Sequence, residues 1–169
     1  MKIFYGAAIQ GGKDRKARAS VHSFFIEAIR AKGFHVWTEH TSGRTYAEAI
    51  QMLEKAIGPL PKGDIERRRY VRNKMIEAIE GDIAAAVFEV STPSLGTGIE
   101  LAHAYLRPRM GLPVVPVLAL YEKEYWPNKL STMIQGIPPE KVPHFVLREY
   151  DNLEEAAVIL DDFLHSLDK

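Results

Sequence analysis

Short apolar runs alternate along the chain with longer segments of helical period. The first run, 2–8, precedes a segment in which apolar residues recur every three or four positions until Gly33. A second run, 34–38, is followed by a polar turn and a helical segment that ends near Ile57, before a Gly-Pro pair. This alternation is typical of βαβ units, so it predicts a parallel sheet with helical crossovers.

The rest of the chain repeats the pattern. The next predicted elements are a helix over 64–80, a strand over 84–90, a helix from Gly98 or Ile99 to about Arg109, a strand over 113–120, a short helix around 130–134, a strand over 144–147 and a final helix from about Leu153. Five strands with helices between them predict a doubly wound α/β fold. With no repeat or linker in view, residues 1–169 are expected to form a single domain.

Composition narrows the classes of protein. Of 169 residues, 46% are hydrophobic and none is cysteine, which excludes a disulfide scaffold, a zinc knuckle and a cysteine nucleophile. Lys and Arg number 22 and Asp and Glu also number 22, so no overall positive field favours nucleic acid or a membrane surface. The start of the chain does not resemble a secretory signal and no run approaches the roughly 20 apolar residues of a membrane span. We therefore expect a cytoplasmic protein.

Ligands of open α/β sheets bind beyond the carboxyl ends of the strands, and two predicted loops there are unusual. The first loop follows strand one and is rich in glycine and alanine, which allows backbone amides to approach a ligand; its candidate residues are Gly6, Ala8, Ile9, Gln10 and Gly11. A plain βα turn explains the same residues, because neither a GxGxxG fingerprint nor a Walker lysine is present.

The second loop runs from Ser94 to Glu100 and includes Gly96 and Gly98. With the helix starting near Gly98, Glu100 falls in its first turn, where the positive helix end keeps a carboxylate ionised as a nucleophile or base. Simple stabilisation of the helix dipole is the alternative. Ser94 and the loop amides suit a phosphate, although serine is also a common capping residue.

Two weaker candidates lie elsewhere. His40 follows the second strand at the same edge of the sheet, although most loop histidines have no catalytic role. The basic run 66–74 has the charges to attract an anion, but its acidic residues at helical spacing favour a solvated helix face. No Ser/His/Asp order and no metal-binding cluster is visible in the sequence.

Four segments carry a resemblance to a known family: KIFYGAAIQGG, VWTEH, FEVSTPSLGTGIELAHAY and NKLSTMIQG. They resemble the nucleoside 2-deoxyribosyltransferase family, and within it the 2'-deoxynucleoside 5'-phosphate N-hydrolases. The resemblance implies a flavodoxin-like fold, a homodimer, a small nucleotide or nucleoside substrate, and no cofactor or metal. Glu100 matches the nucleophile that attacks the anomeric carbon, so a glycosyl ester would form and configuration would be retained.

The same resemblance implies the other site residues. Ser94 matches a serine of the nucleotide hydrolases where the nucleoside transferases have aspartate, and serine donates to a 5'-phosphate without repelling it. Gly96 matches a loop amide, and His40 matches the histidine of the family's TEH segment. Ser131 matches a phosphate-contacting serine from the neighbouring subunit, and Met133 a methionine that reaches the site from that subunit.

Three positions depart from the family pattern. The family's tyrosine near the catalytic carboxylate is Phe4 here, with Tyr5 next to it as a candidate replacement. Gln10 stands where the hydrolases have arginine. At the position of the family's catalytic aspartate, this chain has Asn73 or Lys74. The carboxyl groups that are candidates to replace it are those of Asp64, Glu66 and Glu77.

Three functions are therefore consistent with these residues. The leading hypothesis is hydrolysis of the base–sugar bond of nucleoside 5'-monophosphates. The alternatives are base exchange between deoxynucleosides, and a nucleotide-binding module that has lost turnover.

Overall fold

A computed structural model describes residues 1–8, 15–125 and 130–168 of the chain. The strands of this part are β1 (Lys2–Ala7), β2 (His35–Val36), β3 (Ala85–Glu89), β4 (Val117–Glu122) and β5 (Phe145–Tyr150). The α-helices are α1 (Arg15–Ala31), α2 (Tyr46–Ile57), α3 (Asp64–Glu80), α4 (Leu95–Tyr105), α5 (Thr132–Gln135) and α6 (Leu153–His165). Single 3-10 turns lie at Glu39–Ser42, Arg107–Met110 and Ser166–Asp168.

The five strands form one parallel sheet in the order β2-β1-β3-β4-β5. This order confirms the predicted fold class, a flavodoxin-like doubly wound sheet with helices on both faces. The order reverses between β1 and β3, because the chain first adds β2 on one side and then β3 on the other. A ligand crevice is therefore expected above the carboxyl ends of these two strands.

Alternate residues of the strands feed two separate apolar layers. Tyr5 and Val87 belong to the layer that α1 and α6 cover, whereas Phe4 and Phe88 belong to the layer that α3 and α4 cover. Because side chains alternate across a strand, neighbours such as Phe4 and Tyr5 serve opposite faces. A smaller cluster joins α2 to α3 beside the second layer.

Several predicted boundaries need correction. The strand predicted over 113–120 begins at Val117 and continues to Glu122, because prolines at 113 and 116 cannot donate to a ladder. The strand predicted over 144–147 extends to Tyr150, and β2 is limited to two residues. The helix predicted over 64–80 is confirmed.

Within the described residues, no helix combines the length and apolar character that a membrane span requires.

Candidate functional site

Helix α4 begins earlier than the sequence predicted. Ser94 is its N-cap, where the backbone N–H of Thr97 donates to Ser94 Oγ at 3.3 Å, and Leu95 is the first helical residue. The prediction of a start at Gly98 or Ile99 was wrong because two glycines weaken the helical pattern without preventing the helix. Glu100 therefore lies in the second turn of α4 and outside the first.

The electrostatics of Glu100 differ from the expectation as well. Burial of this partly exposed carboxyl raises its pKa to about 7, because the charged form loses hydration. The expectation that the helix end holds it firmly ionised was therefore wrong in direction. A carboxyl with this pKa is divided between both forms near neutral pH, and perturbed carboxyls in clefts are often functional.

Glu100 lines a cavity of about 690 Å³ that opens at the predicted edge of the sheet. Ala7 at the end of β1, His40 beyond β2, and Ser94 and Gly96 beyond β3 line it together with Glu100. The site thus lies where the strand order reverses, as expected for this fold. The volume suits a small ligand of nucleotide size.

His40 is held in this cavity by a short 3-10 turn. Thr38, just before the turn, is hydrogen-bonded to β1, because the backbone N–H of Tyr5 donates to Thr38 Oγ1 at 3.0 Å. The His40 side chain is buried, which lowers its pKa to about 4 and keeps the ring neutral. Its Nδ1 has no hydrogen-bond partner among the described residues. A buried, unpaired ring nitrogen at a cavity wall is suited to a polar ligand atom.

The structure does not bring Tyr5 to Glu100. The Tyr5 side chain is fully buried in the layer under α1, where its hydroxyl lies 2.9 Å from His22 Nδ1. Burial raises its pKa well above the usual value, so the phenol stays neutral. The expectation of a catalytic role for Tyr5 fails on geometry, because Glu100 projects from α4 on the opposite side of the sheet.

In the described part of the first loop, neither of the two predicted site residues lines the cavity. A Cβ atom on Gly6 would lie 2.3 Å from the Phe88 ring, so this glycine is required by packing, and it does not line the cavity. Ala8 is buried and does not line it either. Ala7, which was not among the predicted site residues, does line it. The predictions for Ile9, Gln10 and Gly11 lie outside the described residues.

Ser131, Met133 and Gly98 line a second cavity, of about 560 Å³, on the other side of α4. Ser94, Thr97 and Ile99 border both cavities. Within one protomer, the residues around α5 therefore reach the wall next to Glu100 without entering its cavity.

Helix α3 supplies the opposite wall of the first cavity. Its lining residues recur at helical spacing and are Asp64, Arg67, Arg68, Val71, Arg72, Met75 and Ile76. The basic run was expected to be a solvated face, and Arg68, Arg69 and Arg72 are indeed exposed, but Arg67, Arg68 and Arg72 also border the cavity. The apolar residues Val71 and Met75 line the same cavity, and helical spacing from them places Arg68 and Arg72 on the same side of α3.

Of the candidate substitutes for the family's catalytic aspartate, one lines the cavity. Asp64 lines the cavity, but Arg67 Nη2 and Arg68 Nε each lie 2.9 Å from its carboxylate oxygens. Asn73, Lys74, Glu66 and Glu77 are absent from the lining. Across the described residues, no group of three or more His, Asp or Glu is arranged to hold a metal ion.

Fold and site together define a flavodoxin-like α/β protein with a carboxyl-bearing ligand cavity at the switch point of its sheet. No protein-family model matches the chain. Among curated proteins, one of Thermofilum pendens named "Putative 2'-deoxynucleoside 5'-phosphate N-hydrolase 1" is 34% identical over 165 residues, which are 97% of this chain and 95% of that protein. The chain therefore belongs to the 2'-deoxynucleoside 5'-phosphate N-hydrolase family, which confirms the branch that its sequence resembles.

Two further relatives extend the comparison. A protein of Syntrophotalea carbinolica with the same name is 30% identical over 97% of this chain and 94% of its own length. The 5-hydroxymethyl-dUMP N-hydrolase of Tetraodon nigroviridis is 26% identical over 96% of each chain.

Proposed function

We propose that residues 1–169 act as one domain that hydrolyses the base–sugar bond of (2'-deoxy)nucleoside 5'-monophosphates. The observation that carries the proposal is the placement of Ser94 and Glu100 on one cavity wall. They are six residues apart along α4, about 9 Å of helix axis, and both side chains border the same space. A nucleotide with its phosphate at Ser94 would direct its anomeric carbon towards Glu100.

The phosphate would bind at the start of α4. Ser94 Oγ already accepts a hydrogen bond from the Thr97 amide, so its hydroxyl hydrogen remains available to donate to phosphate. Gly96 lines the same cavity without a side chain that would block the approach. The amides of the first helical turn are oriented towards the ligand, and the helix dipole favours its negative charge.

Glu100 would be the nucleophile. Its carboxylate oxygen forms a bond to the anomeric carbon while the carbon–nitrogen bond to the base breaks, and the electron pair of that bond leaves with the base. Water then attacks the same carbon, the bond to the Glu100 oxygen breaks, and the sugar 5-phosphate leaves the regenerated carboxylate, so two displacements retain configuration. His40 would donate or accept one hydrogen bond to the substrate through its unpaired ring nitrogen.

We also propose a homodimer in which each protomer supplies Ser131 and Met133 to the other's site. Leu95 is 91% exposed, Met133 80% and Ile99 53%, and all three border the second cavity. Large apolar side chains gathered in one exposed place mark an interaction surface. A second copy of this chain covering that surface would bring its own Ser131 towards Ser94.

The test is a base-release assay on a panel of 2'-deoxynucleoside 5'-monophosphates, with free base separated by chromatography. Glu100→Gln should still bind nucleotide while base release falls by at least about 1,000-fold, because no glycosyl ester forms. Glu66→Gln is the matched control on an exposed residue outside the cavity and should keep the full rate. Base release by Glu100→Gln within about threefold of wild type would remove Glu100 from the mechanism.

Added free base distinguishes the alternative functions in the same assay. Appearance of a nucleotide or nucleoside carrying the added base would indicate transfer, and tight binding without any base release would indicate a module that has lost turnover.

A further inference from the structure

The contact between α3 and α4 fixes which residue lies opposite Glu100. Both helices lead from the carboxyl edge of the sheet back to its amino edge, so they run in the same direction. His103 Nδ1 on α4 lies 2.6 Å from Glu80 Oε1 on α3, which places these residues at one level. Glu100 precedes His103 by three residues, so Ile76 or Glu77 lies at its level on α3.

Of these two, only Ile76 lines the cavity. The Glu77 carboxylate is exposed and lies 2.7 Å from Lys74 Nζ, away from the cavity lining. An apolar side chain therefore occupies the wall that lies level with the proposed nucleophile.

The direction of displacement places the leaving base at that wall. This step rests on the proposed function, in which Glu100 attacks the anomeric carbon from the side opposite to the departing base. Glu100 projects from α4, so the base must lie towards α2 and α3. Their cavity-facing residues are mostly apolar: Ile50, Leu53, Val71, Met75 and Ile76.

The described residues of this cavity offer no side chain that is ready to protonate the base. Burial lowers the pKa of His40 to about 4, and hydrogen bonds from Arg68 and Arg67 lower the pKa of Asp64. Both groups are therefore deprotonated at neutral pH. Tyr46 also lines the cavity, but it is the first residue of α2 and does not belong to the α3 wall that carries Ile76.

Arg72 is the cation in the best position to act instead. It lines the cavity one helical turn from Ile76, about 5.4 Å towards the mouth, and helical side chains lean in that same direction. Arg67 and Arg68 are both bound to Asp64. Arg72 has no ion pair among the described residues, and its hydrogen bond to Asn73 Oδ1 is long, at 3.5 Å.

We propose that Arg72 binds the departing base and stabilises the negative charge that develops on it, in place of a general acid. When the carbon–nitrogen bond breaks, its electron pair stays on the ring nitrogen and spreads to the neighbouring carbonyl oxygens. The Arg72 guanidinium donates hydrogen bonds to these atoms, and the released base anion then takes a proton from water. The favoured substrates are nucleotides whose bases form stable anions, namely pyrimidines with electron-withdrawing groups at C5.

The experiment compares 2'-deoxyuridine 5'-monophosphates that carry methyl, hydrogen or fluorine at C5, since these leaving bases differ in acidity. Single-turnover base release is measured for wild type, Arg72→Gln and Arg72→Lys. Removing one preorganised donor should lower the rate for the methyl substrate by about 100-fold, with a clearly smaller loss for the fluoro substrate. Arg72→Lys keeps the charge without the planar fork and should fall between the two.

The control variant is Arg69→Gln, an exposed arginine of the same helix that does not line the cavity, and its rates should stay within about twofold of wild type. An Arg72→Gln rate that is unchanged, or reduced equally for all three substrates, would overturn the proposal while leaving hydrolysis by Glu100 intact. Base release by wild type from purine nucleotides alone would also overturn the proposal, whereas absence of release from the whole panel of 2'-deoxynucleoside 5'-monophosphates would refute the proposed function and this inference with it.

Discussion

Arg18 Nη2 on α1 lies 2.7 Å from Glu89 Oε2 at the end of β3, and the two side chains are only 5% and 0% exposed. The Tyr150 hydroxyl of β5 donates to the other Glu89 oxygen at 3.2 Å, and the Ser91 backbone N–H donates to that same oxygen at 3.2 Å. One buried carboxylate therefore joins α1, β5 and the start of the loop that leads to Ser94. This arrangement stabilises the strand end from which the candidate site is built.

Loss of the Glu89 charge should destabilise the fold strongly. Glu89→Gln removes one of the two carboxylates that pair with the buried Arg18 guanidinium and leaves only the partly exposed Glu122, which should lower the free energy of unfolding by about 3 kcal/mol. The control is Glu77→Gln, which removes the solvent-exposed pair with Lys74 and should lower the free energy of unfolding far less. Urea unfolding of both variants measures the difference, and equal losses would contradict it.

A negative charge at Ser94 should weaken binding of nucleotides far more than of nucleosides. Aspartate caps a helix as serine does, so Ser94→Asp keeps the α4 cap while adding charge. At an effective dielectric of about 20, two charges roughly 4 Å apart repel by about 4 kcal/mol before screening, so the Kd for nucleotide should rise at least about tenfold.

Ser94→Asn is the neutral control for this change, because asparagine also caps a helix. Calorimetric titration with a nucleoside and its 5'-monophosphate compares both variants. Equal loss of affinity for the two ligands in Ser94→Asp would show that the phosphate binds elsewhere.

The sequence specified the sheet better than it specified the site. Helix α3 was predicted over its full range because Gly63 and Gly81 flank a continuous helical pattern. The start of α4 was predicted too late, since Gly96 and Gly98 hide a helix that the Ser94 cap and tertiary packing support. The alternation of strands with helices predicted a doubly wound sheet, and the order β2-β1-β3-β4-β5 is one of the few right-handed topologies that this class allows.

Properties that depend on packing were not readable from the sequence. The pKa of Glu100 depends on burial that only the neighbouring helices create, and the separation of Tyr5 from Glu100 depends on which face each side chain occupies. The basic run is exposed to solvent as its charge pattern predicted, but that pattern alone did not show that Arg72 also borders the cavity, which depends on how α3 packs against the sheet.

Base release should increase with pH through the titration of Glu100. The nucleophile must be ionised, and burial raises its pKa to about 7, so the rate should rise about tenfold per pH unit below that value and level off above it. Single-turnover rates with nucleotide well below its Kd, from pH 5.5 to 8.5, measure this dependence, because they report the ionisation of the free protein. A flat profile across that range would show that another step or another group limits the reaction.

Glu100→Gln should be more stable than wild type at alkaline pH. The folded-state pKa of about 7 exceeds the ordinary value of 4.5, so the stability contribution of Glu100 is present below pH 4.5 and is lost as pH rises through 7. Glutamine cannot ionise, and its advantage should reach about 1 to 3 kcal/mol at pH 8 and nearly vanish at pH 4.5.

Thermal unfolding of both proteins at the two pH values measures this difference. A helix-dipole role for Glu100 predicts the opposite sign, a loss of about 0.3 to 1 kcal/mol in the variant at pH 8.

Disruption of the apolar surface at α5 should separate the proposed dimer. Met133→Glu places a charge where 80% of the residue is exposed next to Leu95, whereas Val158→Glu changes a residue of α6 that is 62% exposed and remote from both cavities. Analytical ultracentrifugation at micromolar concentration should show a monomer for the first variant and a dimer for the second. A fully active wild-type monomer at that concentration would refute the shared site.

Mixing of two impaired variants gives the stronger test of that arrangement. If Ser131 acts on the partner's phosphate, a Glu100→Gln protomer combined with a Ser131→Ala protomer makes one doubly impaired site and one intact site. Subunit exchange of equal amounts should place half of the protomers in such mixed dimers, which restores about a quarter of wild-type activity above the sum of the parents. If Ser131 acts within its own protomer, both sites of the mixed dimer remain impaired and no activity beyond that sum appears.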